Sequence, residues 1–96
     1  MGFKFTFLFD SELLRLRAYV APNPVNNILN IYTTGLQKNK QTTISVISAS
    51  GVVMKTKQLG GLTQTIQLNV SSLVSGVYTI KLVNKDKVLY KQFVKL

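Results

Sequence analysis

The groups able to do chemistry in this chain are few, and their types exclude more than they offer. The sequence carries three acidic residues, Asp10, Glu12 and Asp86, and neither cysteine nor histidine. Thiol nucleophiles, disulfides and Cys/His zinc sites are therefore impossible. Histidine acid–base catalysis and Ser-His-Asp triads are equally impossible. A glycosidase-type pair needs two carboxyl groups in one cleft, roughly 5 to 9.5 Å apart. Asp10 and Glu12 stand in one predicted turn and Asp86 in another, as solvated turn acids do. So few carboxylates also argue against a dedicated calcium or magnesium cage. The chain reads as a non-enzyme with no cofactor and no metal site.

The remaining chemistry is positive charge. Twelve Lys and Arg against three acids give a formal net charge of +9. Basic domains attract phosphates, anionic lipids or acidic polysaccharide. The lysines are spread out, however: Lys85-Asp86-Lys87 makes a polar hairpin turn, and pairs such as Lys55 and Lys57 stand two apart. That spacing predicts the wet face of strands, where lysine keeps the chain soluble and protects sheet edges. A nucleic-acid platform should interleave exposed aromatics with Lys and Arg. Only Lys87-Val88-Leu89-Tyr90-Lys91 hints at this, so no nucleic acid is expected. Asn69-Val70-Ser71 fits the glycosylation pattern, a short match that commonly arises by accident.

The elements that must position these groups are strands. Period two dominates the chain and helical periodicity is almost absent. At 96 residues one domain is expected, and its 46% hydrophobic content suits a globular core. Phe3, Phe5, Phe7 and Phe9 alternate with Lys4, Thr6 and Leu8. Leu14, Leu16, Ala18 and Val20 alternate with Arg15, Arg17 and Tyr19, and Asp10-Ser11-Glu12 is placed to close a hairpin between the two runs. Pro22 and Pro24 end that second run, because proline lacks the amide donor and fixes φ. Asn23 between them favours a tight turn.

Further strands are predicted from Ile28, over Thr42–Ser48, Val52–Leu59, Thr63–Val70, Val77–Asn84 and Val88–Leu96. Inward residues are Leu29, Ile31, Ile44, Val46, Ile66, Leu68, Val70, Tyr78, Ile80 and Leu82, with Lys55 and Lys57 outward. Leu73 plugs the end of the core. In the last strand Val88, Tyr90, Val94 and Leu96 compete with Leu89 and Phe93 for the inner face. The pattern predicts an all-β fold: an immunoglobulin-like antiparallel sandwich of about seven strands over residues 14–96. Residues 1–13 form an N-terminal extension, an extra aromatic strand that needs a partner, by strand exchange to a homodimer if not within the chain.

No run approaches the ~18 apolar residues of a membrane span. Phe5–Phe9 is too short for the core of a signal peptide, with Asp10 and Glu12 following at once. If the natural product is exported, this chain lacks the segment that starts its export.

Three phrases punctuate the strands: Ala21-Pro22-Asn23-Pro24-Val25, Ser48-Ala49-Ser50-Gly51-Val52-Val53 and Leu73-Val74-Ser75-Gly76-Val77-Tyr78. As turn chemistry they serve any sandwich, Gly51 supplying a permissive φ and Leu73 and Tyr78 packing inward. Taken in order, from about Leu14 to Leu96, they resemble the C-terminal sorting domain of type IX (Por) secretion cargo in Bacteroidetes. The opening phrase, the Leu29-Asn30-Ile31 strand, the turn with Gly51, Leu73-x-x-Gly76-x-Tyr78 and the basic-apolar ending Lys91-Gln92-Phe93-Val94-Lys95-Leu96 all match. Ala49-Ser50 departs from the acidic or Asn turn usual in the family, and residues 1–13 have no counterpart.

The resemblance implies an address label rather than a reaction. Cargo would cross the inner membrane by the general export route and the outer membrane through a translocon that recognises the folded domain. A sortase-like surface peptidase would then remove the label. The implied location is the periplasm in transit, then the outer-membrane surface or the medium. Lys91, Phe93, Val94 and Lys95 are the residues expected to meet the translocon, because a terminal strand exposes unpaired backbone to which a receptor strand can add. The competing reading is an immunoglobulin-like adhesion or carbohydrate-binding module. Such modules display aromatics, and Tyr19, Tyr32 and Tyr90 are the candidates, although no loop carries an aromatic cluster.

Overall fold

The computed structural model describes residues 15–36, 40–60 and 65–96. Seven strands follow in order: β1 (Arg17–Ala21), β2 (Ile28–Thr34), β3 (Thr42–Ser48), β4 (Val53–Leu59), β5 (Thr65–Asn69), β6 (Gly76–Asn84) and β7 (Lys87–Lys95). The described residues contain no helix. The aromatic stretch Phe3–Phe9 and the acids Asp10 and Glu12 lie outside them.

The strands form two antiparallel sheets, one of three strands ordered β1-β2-β5 and one of four ordered β4-β3-β6-β7. In a constant-type immunoglobulin domain the fourth strand joins the sheet of the first. Here β4 pairs with β3 instead. The inner rows of both sheets feed one core, which includes Leu29, Ile31, Ile44, Val46, Ile66, Leu68, Ile80, Leu82 and Phe93. Every residue expected inward from the alternation of β2, β3, β5 and β6 is buried there.

Two strands run differently from the pattern. Lys55 and Lys57 were expected outward, yet register sets them opposite Val46 and Ile44. Directly paired residues share a face, so both lysines belong to the inner row. The reason is the mismatch in sheet width: an edge strand of the wider sheet overhangs the narrower one. No residue of β4 is fully buried. Lys57 uses the overhang to donate from Nζ to the Gln67 carbonyl of β5 at 3.1 Å. In β7 the competition resolves in favour of Leu89 and Phe93, which share the inner row with Lys87, Lys91 and Lys95. Both edges of the four-stranded sheet thus carry inward lysines, which discourage pairing with a foreign strand.

Candidate functional site: the pole that gathers the motifs

The three phrases lie far apart in sequence and meet at one end of the sandwich. β1 leads into Pro22-Asn23-Pro24, where the chain leaves the three-stranded sheet; the Ala21–Pro22 and Asn23–Pro24 bonds are both cis. Proline cannot continue the β1 ladder, and the chain crosses to the edge of the other sheet. Val25 there forms a parallel bridge with Lys95. Its amide donates to the Val94 carbonyl at 2.9 Å, and its carbonyl accepts from the Leu96 amide at 2.9 Å. Asn23 completes the clamp: its Oδ1 accepts from the Val94 amide at 2.9 Å, across 71 residues of chain.

The clamp corrects one expectation about the terminal strand. Its outer edge is not open at the C-terminal end, because the Val94 amide and carbonyl and the Leu96 amide are all engaged. A receptor strand has no ladder to join there.

The second phrase turns the chain at the same pole. The Gly51 amide donates to the Ser48 carbonyl at 2.9 Å, and the Ser48 amide to the Val52 carbonyl at 2.8 Å. Gly51 sits at φ 89, in the left-handed region that glycine enters without a Cβ penalty. Ser48 Oγ also accepts from the Val52 amide at 3.2 Å.

The third phrase is a brace. Tyr78 is buried, and its hydroxyl donates to the Val74 carbonyl at 2.5 Å. A tyrosine at the start of the sixth strand that bonds backbone just upstream has the geometry of a tyrosine corner. Its ring stacks on Phe93 of β7, with centroids 5.6 Å apart. Leu73 packs against the core beneath this corner, and its amide donates to the Val70 carbonyl at 3.0 Å. The Tyr78–Phe93 stack therefore ties the third phrase to the last strand, as Asn23 ties the first.

The residues expected to face a receptor divide into two pairs. Phe93 is buried under Tyr78. Lys95 is also buried, its Nζ donating to the main-chain oxygen of Leu96 at 2.8 Å. Val94 and Lys91 are exposed. Val94 pairs across the outer face with exposed Val77, while Lys91 lines an open cleft of about 430 Å³ with Arg15, Arg17 and Leu89. Among the described residues no group of three or more His, Cys, Asp or Glu stands together, and no helix is long and apolar enough to cross a membrane.

Residues 19–96 match the family model of the secretion system C-terminal sorting domain. The chain belongs to that family. The match begins at Tyr19 in β1 and takes in all three phrases and the whole of β7. This is a family of type IX sorting signals of Bacteroidetes, not of enzymes, and membership implies export across the outer membrane to the surface or medium. No curated protein matches the chain significantly.

Sequence reasoning missed two parts of the sorting domain. The role of Asn23 as a ligand of the last strand has no local signal, since its partner is remote in the chain. Asn84 was legible only as the end of a strand. It is fully buried, and its Nδ2 donates to Thr42 Oγ1 at 3.1 Å, a polar tie between paired strands at the opposite pole.

Proposed function

We propose that residues 14–96 carry an attached cargo through the type IX translocon, and that the translocon reads the folded pole at which the phrases meet. The observation that carries this reading is convergence. Segments 22–25 and 73–78 have separate structural tasks, yet both brace the end of β7 at 93–96, and the 48–52 turn closes the same pole beyond β6. Val94 offers an exposed side chain at the pole, and Lys91 offers a charge further back along the same strand, on the opposite face. Phe93 and Lys95 hold that strand from within. The cargo reaches the periplasm by the general export route, and a sortase-like peptidase acts on the domain as its substrate after passage. Strand exchange through Phe3–Phe9 is a separate part of the proposal; a clean monomer by light scattering at high concentration removes it.

The test uses surface variants rather than truncation. Deleting Gln92–Leu96 removes buried Phe93 and confounds folding with recognition. Residues 14–96 are fused to an exported reporter in a host with this secretion system. Val94→Asp with Lys91→Glu should leave the reporter in the periplasm, and Lys85→Glu at the opposite pole should not. Undiminished secretion by the double variant takes the last strand out of the recognised surface. Retention of the unmutated fusion refutes the sorting role itself.

A further inference from the structure

We propose that the outer face of the three-stranded sheet binds an uncharged oligosaccharide. Register places Tyr19, Tyr32 and Thr65 in one row across this face, and Ala21, Asn30 and Gln67 in the next. Tyr19 and Tyr32 stack with ring centroids 4.8 Å apart and an interplanar angle of 23°. Tyr19 is 63% exposed, so it lies over Tyr32 with much of its ring still in water. Two strands thus build the aromatic cluster that no loop supplies. Beside it is a cavity of about 400 Å³, lined by the two tyrosines with Arg17, Thr33, Thr34 and Thr65. That volume falls in the usual range for small-ligand sites, roughly 300–1,000 Å³.

Apart from the Arg17 guanidinium at one end, the polar groups on this face are hydroxyls and amides, which donate and accept. Asn69 is engaged elsewhere, since its Oδ1 accepts from the Ser71 amide at 3.0 Å and from Ser71 Oγ at 2.6 Å. That leaves Asn30 and Gln67 as the amide pair beside the tyrosines.

The charge distribution selects the ligand class. Although the chain carries +9, no lysine lies on this sheet; those in strands are all on β4, β6 and β7. A nucleic acid would stack on tyrosine but needs a track of cations along its backbone, and the strands of this sheet carry a single one, Arg17 at the end of the tyrosine row. An extended peptide would bond main chain at a sheet edge, whereas this is a face. A pyranose brings an apolar C–H surface for the Tyr19 ring and hydroxyls for the amides. The side chains that do this are rigid aromatics and short amides, which cost little entropy to order on binding.

The test is titration of the 96-residue chain with cellohexaose, maltohexaose and tetragalacturonate, followed by NMR of the tyrosine rings. Four tyrosines are present, and Tyr78 in the core and Tyr90 on the other sheet are internal controls. Shifts at Tyr19 and Tyr32 with a neutral hexasaccharide, persisting in 0.5 M salt, are expected. Tyr19→Ala and Gln67→Ala, both at exposed positions, should each weaken binding by about tenfold with unchanged melting temperature. Binding of the uronate alone, lost in salt and indifferent to Tyr19→Ala, overturns the proposal in favour of diffuse charge attraction. So does the absence of ring shifts with every sugar at millimolar concentration.

Discussion

Asn23→Ala should loosen the end of β7 without unfolding the domain. The substitution removes the acceptor of one bond among three; Val25 N to Val94 O and Leu96 N to Val25 O remain. A hydrogen bond of this kind contributes about 0.5–1.5 kcal/mol net. Val94 is 39% exposed, so water can reach its amide and the penalty for a buried orphan donor does not apply. The global cost should therefore be about 1 kcal/mol or less, and at roughly 4–8 °C per kcal/mol the melting point should fall by only a few degrees. The local effect is larger. Hydrogen exchange at the Val94 amide should lose its protection in Asn23→Ala. Asn23→Asp should retain it, because the carboxylate presents the same acceptor atom. If Val94 exchanges alike in Asn23→Ala and the parent, the clamp is not formed in solution. If Asn23→Asp is as unprotected as the alanine variant, the side-chain acceptor is not what holds the strand.

The other structural claims are equally open to measurement. Tyr78→Phe keeps the stack on Phe93 but loses the bond to Val74, and urea unfolding should report a loss of about 0.5–1.5 kcal/mol at unchanged slope. Tyr78→Ala also empties the core and should cost about 3–5 kcal/mol; equal losses in the two variants would refute the bracing role of the hydroxyl. Gly35→Ala should destabilise more than Gly51→Ala. Both glycines have positive φ, but a Cβ at Gly35 would lie 2.3 Å from the Arg15 carbonyl oxygen, while one at Gly51 meets nothing within 4 Å. The Gly51 cost should be the conformational one, about 1–2 kcal/mol, and equal unfolding midpoints would contradict the close approach. Lys55→Val with Lys57→Val should leave the midpoint unchanged or raised while light scattering at high concentration detects faster association, because inward lysines guard that edge; a variant as soluble as the parent removes that role.

The legibility of this fold followed the width of its sheets. Where a strand is covered on its inner face by the other sheet, alternation decided the side chain's direction correctly, as in Leu29 and Ile31 or Ile80 and Leu82. Turn chemistry was equally plain at Gly51, because φ preferences act locally; the Lys85-Asp86 turn was marked by its run of charge alone, since Lys85 takes φ 57 there against its own preference. The edge strands were different. On β4 and β7 the inner row is only partly covered, so lysine stands in it without being sealed off, and the pattern no longer separates inside from outside. Lys55 and Lys57 were misread for that reason. At the candidate site, the phrases were legible as turns and as a family order, but not as neighbours. Contact between Asn23 and Val94, like that between Tyr78 and Phe93, is a property of the closed sandwich rather than of any sequence window.

That last point bears on what an address label of this kind must be. A linear signal survives unfolding, whereas the pole described here is assembled from four remote segments and exists only when both sheets have closed. The edge strand that would be read is braced by Asn23 and Val25 from one side and by Tyr78 from beneath. Phe93 commits the same strand to the core. Recognition of Val94 at this pole would therefore report folding and identity together. The physical arrangement makes the two inseparable: any chain that fails to bury Phe93 also fails to present Val94 in its clamped position.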